Sequence, residues 1–180
     1  MKAYDFLKQF QQCLQKEEYD CTLIEATEAT PYTGLLVFLG LDEKDRERVL
    51  EISIVEQESF KKLRTSKSQE LNLFRIQFQT KLPFEIQPEA CSQVSSLICY
   101  LNRLIELPGF EMDEINLQLF HRYVLIYGES SFNKTVCISI VGFIMLLLEL
   151  FSSTLERLAQ GETTFNQLLE EIVEIGNKLH

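Results

Sequence analysis

The most apolar stretch of the chain, residues 134–151, constrains the fold more than any other feature of the sequence. Its uninterrupted part runs from Val136 to Leu148, where Ser139 and Gly142 are the only less apolar positions. A helix needs roughly 20 apolar residues to span a bilayer, whereas a run of about 10–14 is more typical of a buried helix. We therefore interpret this stretch as a core or interface helix, with a membrane segment as the alternative.

The charge of the chain limits its partners. With 17 basic and 27 acidic side chains, the formal net charge is −10. Nucleic acid and anionic lipid both require a basic surface, so we expect neither a nucleic acid nor a membrane as partner. An acidic chain suits partners that are basic or apolar. The 46% hydrophobic content, with 13 Phe, is enough for a core that needs no disulfide or metal.

The cysteines and the N-terminal residues indicate the cellular compartment in which the protein is expected. The five cysteines are odd in number and contain no Cys-x-x-Cys pair. That pattern favours reduced, buried thiols over a disulfide framework or a metal site. No apolar segment of signal-peptide type follows Lys2. We therefore expect a cytoplasmic protein without a bound metal or other cofactor.

Four segments have the three- and four-residue apolar spacing of helices. The first runs from about Ala3 to Glu18, and the third covers Lys134 to about Ala159. The second begins at Pro88 and ends at about Glu106, because proline suits a first helical turn and Pro108-Gly109 follows. Gly161 is placed to end the third, and Thr163 or Thr164 to cap a last helix over about 162–179.

Between the helices the apolar period changes to two, which indicates strands. The expected strands cover residues 23–26, 35–41, 50–55, 74–79, 110–112 and 117–127. Pro83 is expected to end the fourth, and the last is expected to lie centrally because it has apolar residues on both faces. The sequence thus predicts an α+β fold, with an antiparallel sheet of about five to six strands, helices packed on it and an extra C-terminal helix. We expect a single domain, with a core over 1–160 and an extension over 161–180.

Groups that carry chemistry are sparse. His121 lies within the long strand without a His, Cys or carboxylate neighbour at ligand spacing, so a structural histidine is favoured over a catalytic one. The glycines Gly34 and Gly40 form no phosphate-binding loop. The acidic pairs fall on expected turns and helix ends, where paired acid–base catalysis is not favoured. We therefore expect a protein that is not an enzyme.

One segment supports a resemblance to a known family. The sequence Leu-Pro-Gly-Phe-Glu-Met-Asp-Glu at 107–114, followed by Phe-His-Arg-Tyr-Val-Leu at 120–125, resembles uncharacterised small proteins of photosynthetic bacteria. Those proteins share the type III secretion chaperone-like, or YbjN-like, fold, whose element order is similar to the one above over roughly residues 1–155. The resemblance implies a homodimeric, non-catalytic protein that binds an extended segment of a protein partner. The last helix and the apolar third helix are departures from that family.

Three functional hypotheses follow. The favoured one is a chaperone-like, homodimeric protein-interaction module, with the second or third helix as the interface. Its candidate interface residues are Val94, Leu97, Ile98 and Leu101. These side chains can equally pack on the sheet of their own chain. The basic segment at 57–70 is either a lip for an acidic partner or a solvated connection.

The two other hypotheses belong to different classes. One is a small-molecule-binding domain or enzyme, with a pocket between sheet and helices that His121, Tyr123 and Tyr127 line. The other is a membrane component anchored through residues 135–151. Neither the identity of a partner nor the geometry of an oligomer follows from the sequence.

Overall fold

The computed structural model of the protein describes residues 3–25, 33–56, 73–128 and 133–170. Its sheet contains six strands in the order β1-β2-β3-β4-β6-β5. The strands are β1 (Cys21–Ile24), β2 (Gly34–Leu41), β3 (Glu47–Glu56), β4 (Leu73–Glu85), β5 (Phe110–Asp113) and β6 (Gln118–Gly128). With its helices, this antiparallel sheet confirms the predicted α+β class.

The described helices follow the predicted order. They are α1 (Ala3–Lys16), α2 (Cys91–Leu104), which a short 3₁₀ turn at Pro88–Ala90 precedes, and α3 (Lys134–Ala159). Residues 165–170 form the described part of the C-terminal helix, and the rest of the predicted helix lies outside the described residues. The predicted basic segment at 57–70 also lies outside them.

The chain divides into two compact units. The first comprises residues 1–80 and 122–145, and the second comprises residues 81–121 and 146–180. The long elements β4, β6 and α3 each contribute residues to both units. Each unit is described below by itself.

In the first unit, α1, β2 and β3 lie where apolar spacing predicts them, whereas β1 covers Cys21–Ile24 and shares only two residues with the strand predicted at 23–26. Phe6, Leu7, Phe10 and Leu14 form one buried face of α1. The helix ends in a Schellman motif with Glu18 at φ 64°, where the N–H of Tyr19 donates to the carbonyl of Leu14 at 3.0 Å.

The β2–β3 hairpin closes around Asp42. Its carboxylate accepts hydrogen bonds from the N–H groups of Lys44 and Arg46 and forms an ion pair with the Arg46 guanidinium at 2.7 Å. Next to the turn, the ladder has an irregularity between Phe38 and Leu41, where Gly40 has φ 90°. A β-bulge with glycine in this conformation explains the shift in register.

In the second unit, the Asn102 side chain of α2 fixes the start of the β5–β6 hairpin. Its Oδ1 accepts from the N–H groups of Gly109 and Phe110, and its Nδ2 donates to the carbonyl of Phe110 at 2.9 Å. At the other end of the unit, Gly161 has φ 70° and ends α3 as predicted. Thr164 then caps the C-terminal helix, because its Oγ1 accepts from the N–H of Gln167 at 3.3 Å.

Two predictions about the strands are wrong. Pro83 does not end β4, which continues to Glu85 with Leu82 and Phe84 buried. The fixed φ of proline is compatible with an extended strand wherever its missing N–H is not needed for pairing. The long strand β6 is not central, since it lies between β4 and the short end strand β5. Its apolar residues on both faces do not reflect full coverage, because Tyr127 is buried whereas Ile126 is exposed.

Candidate functional site

The four predicted interface residues lie on the inner face of α2. Val94, Leu97, Ile98 and Leu101 are between 0% and 7% exposed in the single chain. Ser92, Ser96, Cys99 and Arg103 on the same helix are exposed, so the surface that α2 presents to solvent is largely polar. These four side chains are therefore inaccessible to a partner while the chain is folded as described. Their role in an interface stays a prediction.

The third helix differs, because it is apolar around much of its circumference. Cys137, Ile140, Val141, Ile144, Leu147 and Leu148 are buried. Four other apolar residues of α3 are exposed, namely Val136, Met145, Leu146 and Leu150. The outer face of α3 is the side that carries Leu146 and Leu150, which is directed away from the buried residues. Leu146 and Leu150 are 49% and 58% exposed and lie one helical turn apart. Exposed leucines at this spacing are neighbours on the helix surface and form an apolar ridge.

The same helix is long and apolar enough to cross a membrane, by length and composition alone. In the described part of the chain it is the one helix that meets this test, and 33% of its most apolar window is buried. The core helix of a water-soluble protein meets the test as well, so the finding is weak evidence for a membrane segment. The buried side chains of α3 show that one side of it completes the core of its own chain.

A glycine lies in the middle of α3 without an evident need for it in the described chain. An added Cβ at Gly142 has only the Tyr19 hydroxyl within 4 Å, at 4.0 Å, which is ordinary van der Waals contact. Glycine in a helix interior costs about 1 kcal/mol relative to alanine. The described residues therefore leave room for a side chain that the sequence does not place there.

The buried histidine is the main polar group in the interior of the second unit. His121 is fully buried, and its Nε2 lies 3.4 Å from the carbonyl oxygen of Leu107. The Phe110 ring meets it edge-on, with ring centroids 5.0 Å apart. Among the described residues its Nδ1 has no hydrogen-bond partner. Burial lowers the pKa of His121, although the Leu107 carbonyl and the Glu111 carboxylate act in the opposite direction.

The two tyrosines predicted to line a pocket with His121 have separate aromatic neighbours. The Tyr123 ring lies 6.4 Å from that of Phe78, and the Tyr127 ring lies 5.3 Å from that of Phe6. Burial, together with the nearby Cys137, raises the pKa of Tyr127 to about 12. Each tyrosine is thus part of an aromatic contact, and the phenol of Tyr127 stays protonated at neutral pH.

Burial raises the pKa of two cysteines, and the described residues contain no group of side chains arranged to bind a metal ion. Within them, no group of three or more His, Cys, Asp or Glu side chains is arranged to hold a metal ion. The five cysteines are free thiols. Burial raises the pKa of the Cys137 thiol to about 12, and burial followed by the charge of Asp20 raises the pKa of Cys21. A thiol is a nucleophile only as thiolate, so the raised pKa of these two buried cysteines disfavours nucleophilic chemistry there.

Sequence reasoning offered the second or third helix as an interface, but it named candidate residues only on α2 and not the exposed apolar residues of α3. The outer face of α3 could have been predicted from the sequence. A helix that is apolar around its whole circumference cannot bury all of its apolar residues against one core, so some of them must be exposed or covered by another surface. Comparison with known proteins does not assign this surface: no protein-family model matches the chain, and no curated protein is significantly similar to it.

Proposed function

We propose that this protein is a non-catalytic, chaperone-like protein-interaction module that forms a homodimer and binds a protein partner. The observation that carries the proposal is the outer face of α3, where Leu146 and Leu150 are about half exposed. Each fully buried leucine is worth about 1.5–3 kcal/mol relative to an exposed one, so covering this ridge favours association.

The charge of the chain supports a protein occupant for this face. A net charge of −10 disfavours anionic lipid and nucleic acid. The ridge formed by Leu146 and Leu150 has the exposed carboxylate of Glu149 beside it, which suits an apolar partner surface with a basic rim. A membrane-spanning α3 is disfavoured for a further reason. Its inner side chains, among them Val141, Ile144 and Leu147, complete the core of the chain, and their withdrawal would expose that core to water.

The first test is the molar mass of the purified protein in solution, measured by light scattering without detergent. The proposal predicts twice the 21.0 kDa of one chain. Leu146→Lys and Leu150→Lys should then weaken association with the copy or with the partner. Ile115→Lys, at an exposed turn residue outside α3, is the matched control and should have no effect. A protein that purifies only with detergent would contradict the proposal in favour of a membrane component.

The alternative function is a small-molecule-binding domain or an enzyme with a pocket. One observation favours it, namely that the Nδ1 of His121 is buried without a hydrogen-bond partner in the described residues. Such a group is costly unless a ligand or water satisfies it. A metabolite panel tests this alternative by thermal unfolding. A ligand that raises the unfolding temperature of the wild type but not of His121→Leu would support the pocket.

A further inference from the structure

The glycine in the middle of α3 lies on the same side of the helix as the exposed leucines. The helix is continuous from Lys134 to Ala159, so each residue is rotated by about 100° from the one before it. Gly142, Leu146 and Leu150 follow one another at steps of four residues, and they therefore form one row on the helix surface. Gly142 is partly exposed, as expected for this side of the helix. We call these three residues the glycine–leucine row.

The glycine–leucine row combines a space with two projecting side chains. The nearest described neighbour of a Cβ added at Gly142 is the Tyr19 hydroxyl, at 4.0 Å. Leu146 and Leu150 are 49% and 58% exposed, so they project from the same row. Glycine within a helix is destabilising by about 1 kcal/mol relative to alanine, and an exposed leucine lacks the stabilisation of burial. Both costs are offset if the leucine of one chain fills the space at the glycine of another.

We propose that the outer face of α3 packs against the same face of a second copy of the chain, in antiparallel orientation about a two-fold axis at Leu146. The proposal rests on the homodimer proposed above and names its interface. The axis brings Leu146 of the two copies side by side. It places Leu150 of each copy opposite Gly142 of the other, because both residues lie four positions from the axis. Glycine permits a close approach of backbones, at the lower end of the usual interaxial range of about 8–10 Å.

The charges along α3 are compatible with a second copy at this face. Two chains of net charge −10 repel each other over most of their surfaces. The residues at three- and four-residue steps along this side of α3 are uncharged, namely Ser139, Gly142, Leu146, Leu150 and Ser153. Glu149 lies beside them, and the axis separates its two copies by six positions, or about 9 Å along the helices. That is about one Debye length at physiological ionic strength, so the contact brings no carboxylates directly together.

A larger side chain at Gly142 tests the close contact. Gly142→Leu should raise the dimer dissociation constant about tenfold or more, because the new side chain takes the space that Leu150 of the other copy fills. A constant that stays unchanged or falls would overturn the contact between these two residues. Ser96→Leu is the matched control, since it adds the same side chain at an exposed position of α2 and should leave the constant unchanged. Far-ultraviolet circular dichroism of both variants checks that they fold.

Cross-links test the position of the axis and the direction of the helices. In a Cys99→Ser background, Leu146→Cys should form a disulfide-linked dimer on oxidation, because residues on the axis face each other at a distance that a disulfide can bridge. Ser153→Cys, at an exposed position on the same side, should not. The axis separates its two copies by 14 positions, or about 21 Å along the helices. Cross-linking of both variants would indicate a parallel pair and would overturn the inference.

This inference and the proposed function fail in different ways. A wild-type dimer that Leu146→Cys does not cross-link and that Gly142→Leu does not weaken would overturn this interface while leaving the proposed homodimer intact. A wild type that is monomeric at all concentrations would overturn both.

Discussion

The helices α2 and α3 were both predicted from apolar spacing, yet they present opposite surfaces to solvent. The apolar residues of α2 before its last residue, the exposed Leu104, are directed inward, and the rest of its exposed side is mostly Ser, Cys and Arg. The inner side of α3 is equally apolar, but its outer face carries Leu146 and Leu150. The comparison teaches that a clean amphipathic pattern marks a core face. Apolar residues in excess of what one core can cover leave an exposed apolar surface, as on α3.

The largest expected effect concerns the inner face of α2. Leu97→Ala should lower the free energy of unfolding by about 2–5 kcal/mol, because it removes buried methyl groups and leaves a cavity. Leu104→Ala, at an exposed position of the same helix, should change it little. Urea denaturation followed by circular dichroism measures both. Equal losses in the two variants would show that the inward orientation of α2 is wrong.

The next effect concerns the polar attachment of α2 to the hairpin. Asn102→Ala should cost about 1–3 kcal/mol, since it leaves the N–H groups of Gly109 and Phe110 and the carbonyl of Phe110 without their partner. Asn102→Asp keeps the acceptor for both N–H groups and loses only the donor. It should therefore be less destabilising in the same denaturation experiment. If Asp is as damaging as Ala, the acceptor contacts do not hold the hairpin.

A smaller change in stability is expected at the glycine in the middle of α3. Gly142→Ala should raise the stability of the isolated chain by about 1 kcal/mol, because alanine has the higher helix propensity and the described chain leaves space for its Cβ. Thermal unfolding at low protein concentration measures the gain. Ser139→Ala, one turn earlier on the same helix, is the control for propensity alone. A loss of stability at position 142 would contradict the space for a Cβ at this glycine.

The smallest effect is a pH dependence in the second unit. The pKa of His121 is lowered by burial, so the unfolded chain binds a proton more readily than the folded chain does. Its contribution to stability is complete above the unfolded pKa of about 6.5 and is lost as the pH falls from there through the lowered folded value. His121→Leu should remove this slope in urea denaturation series at several pH values. A slope that persists in the variant would belong to other groups.

Much of the local structure was predictable because its signals are local. The bounds of α3, the stop at Gly161 and the cap at Thr164 follow from apolar spacing and from the preferences of single residues. The continuation of β4 through Pro83 was not predictable in this way, since a proline is tolerated only where the neighbouring strand does not need its N–H. The location of β6 next to the end strand was hidden by its apolar residues on both faces.

The sequence by itself determined the order of helices and strands, the α+β class and the inner face of α2. Each of these depends on residue spacing along one element, and spacing is a property of the chain alone. Only the tertiary structure decided which side of α3 is covered, because both of its sides are apolar and periodicity cannot choose between them. It also decided that β6 lies between β4 and the short end strand β5, since the order of strands depends on contacts between segments that are distant in the chain.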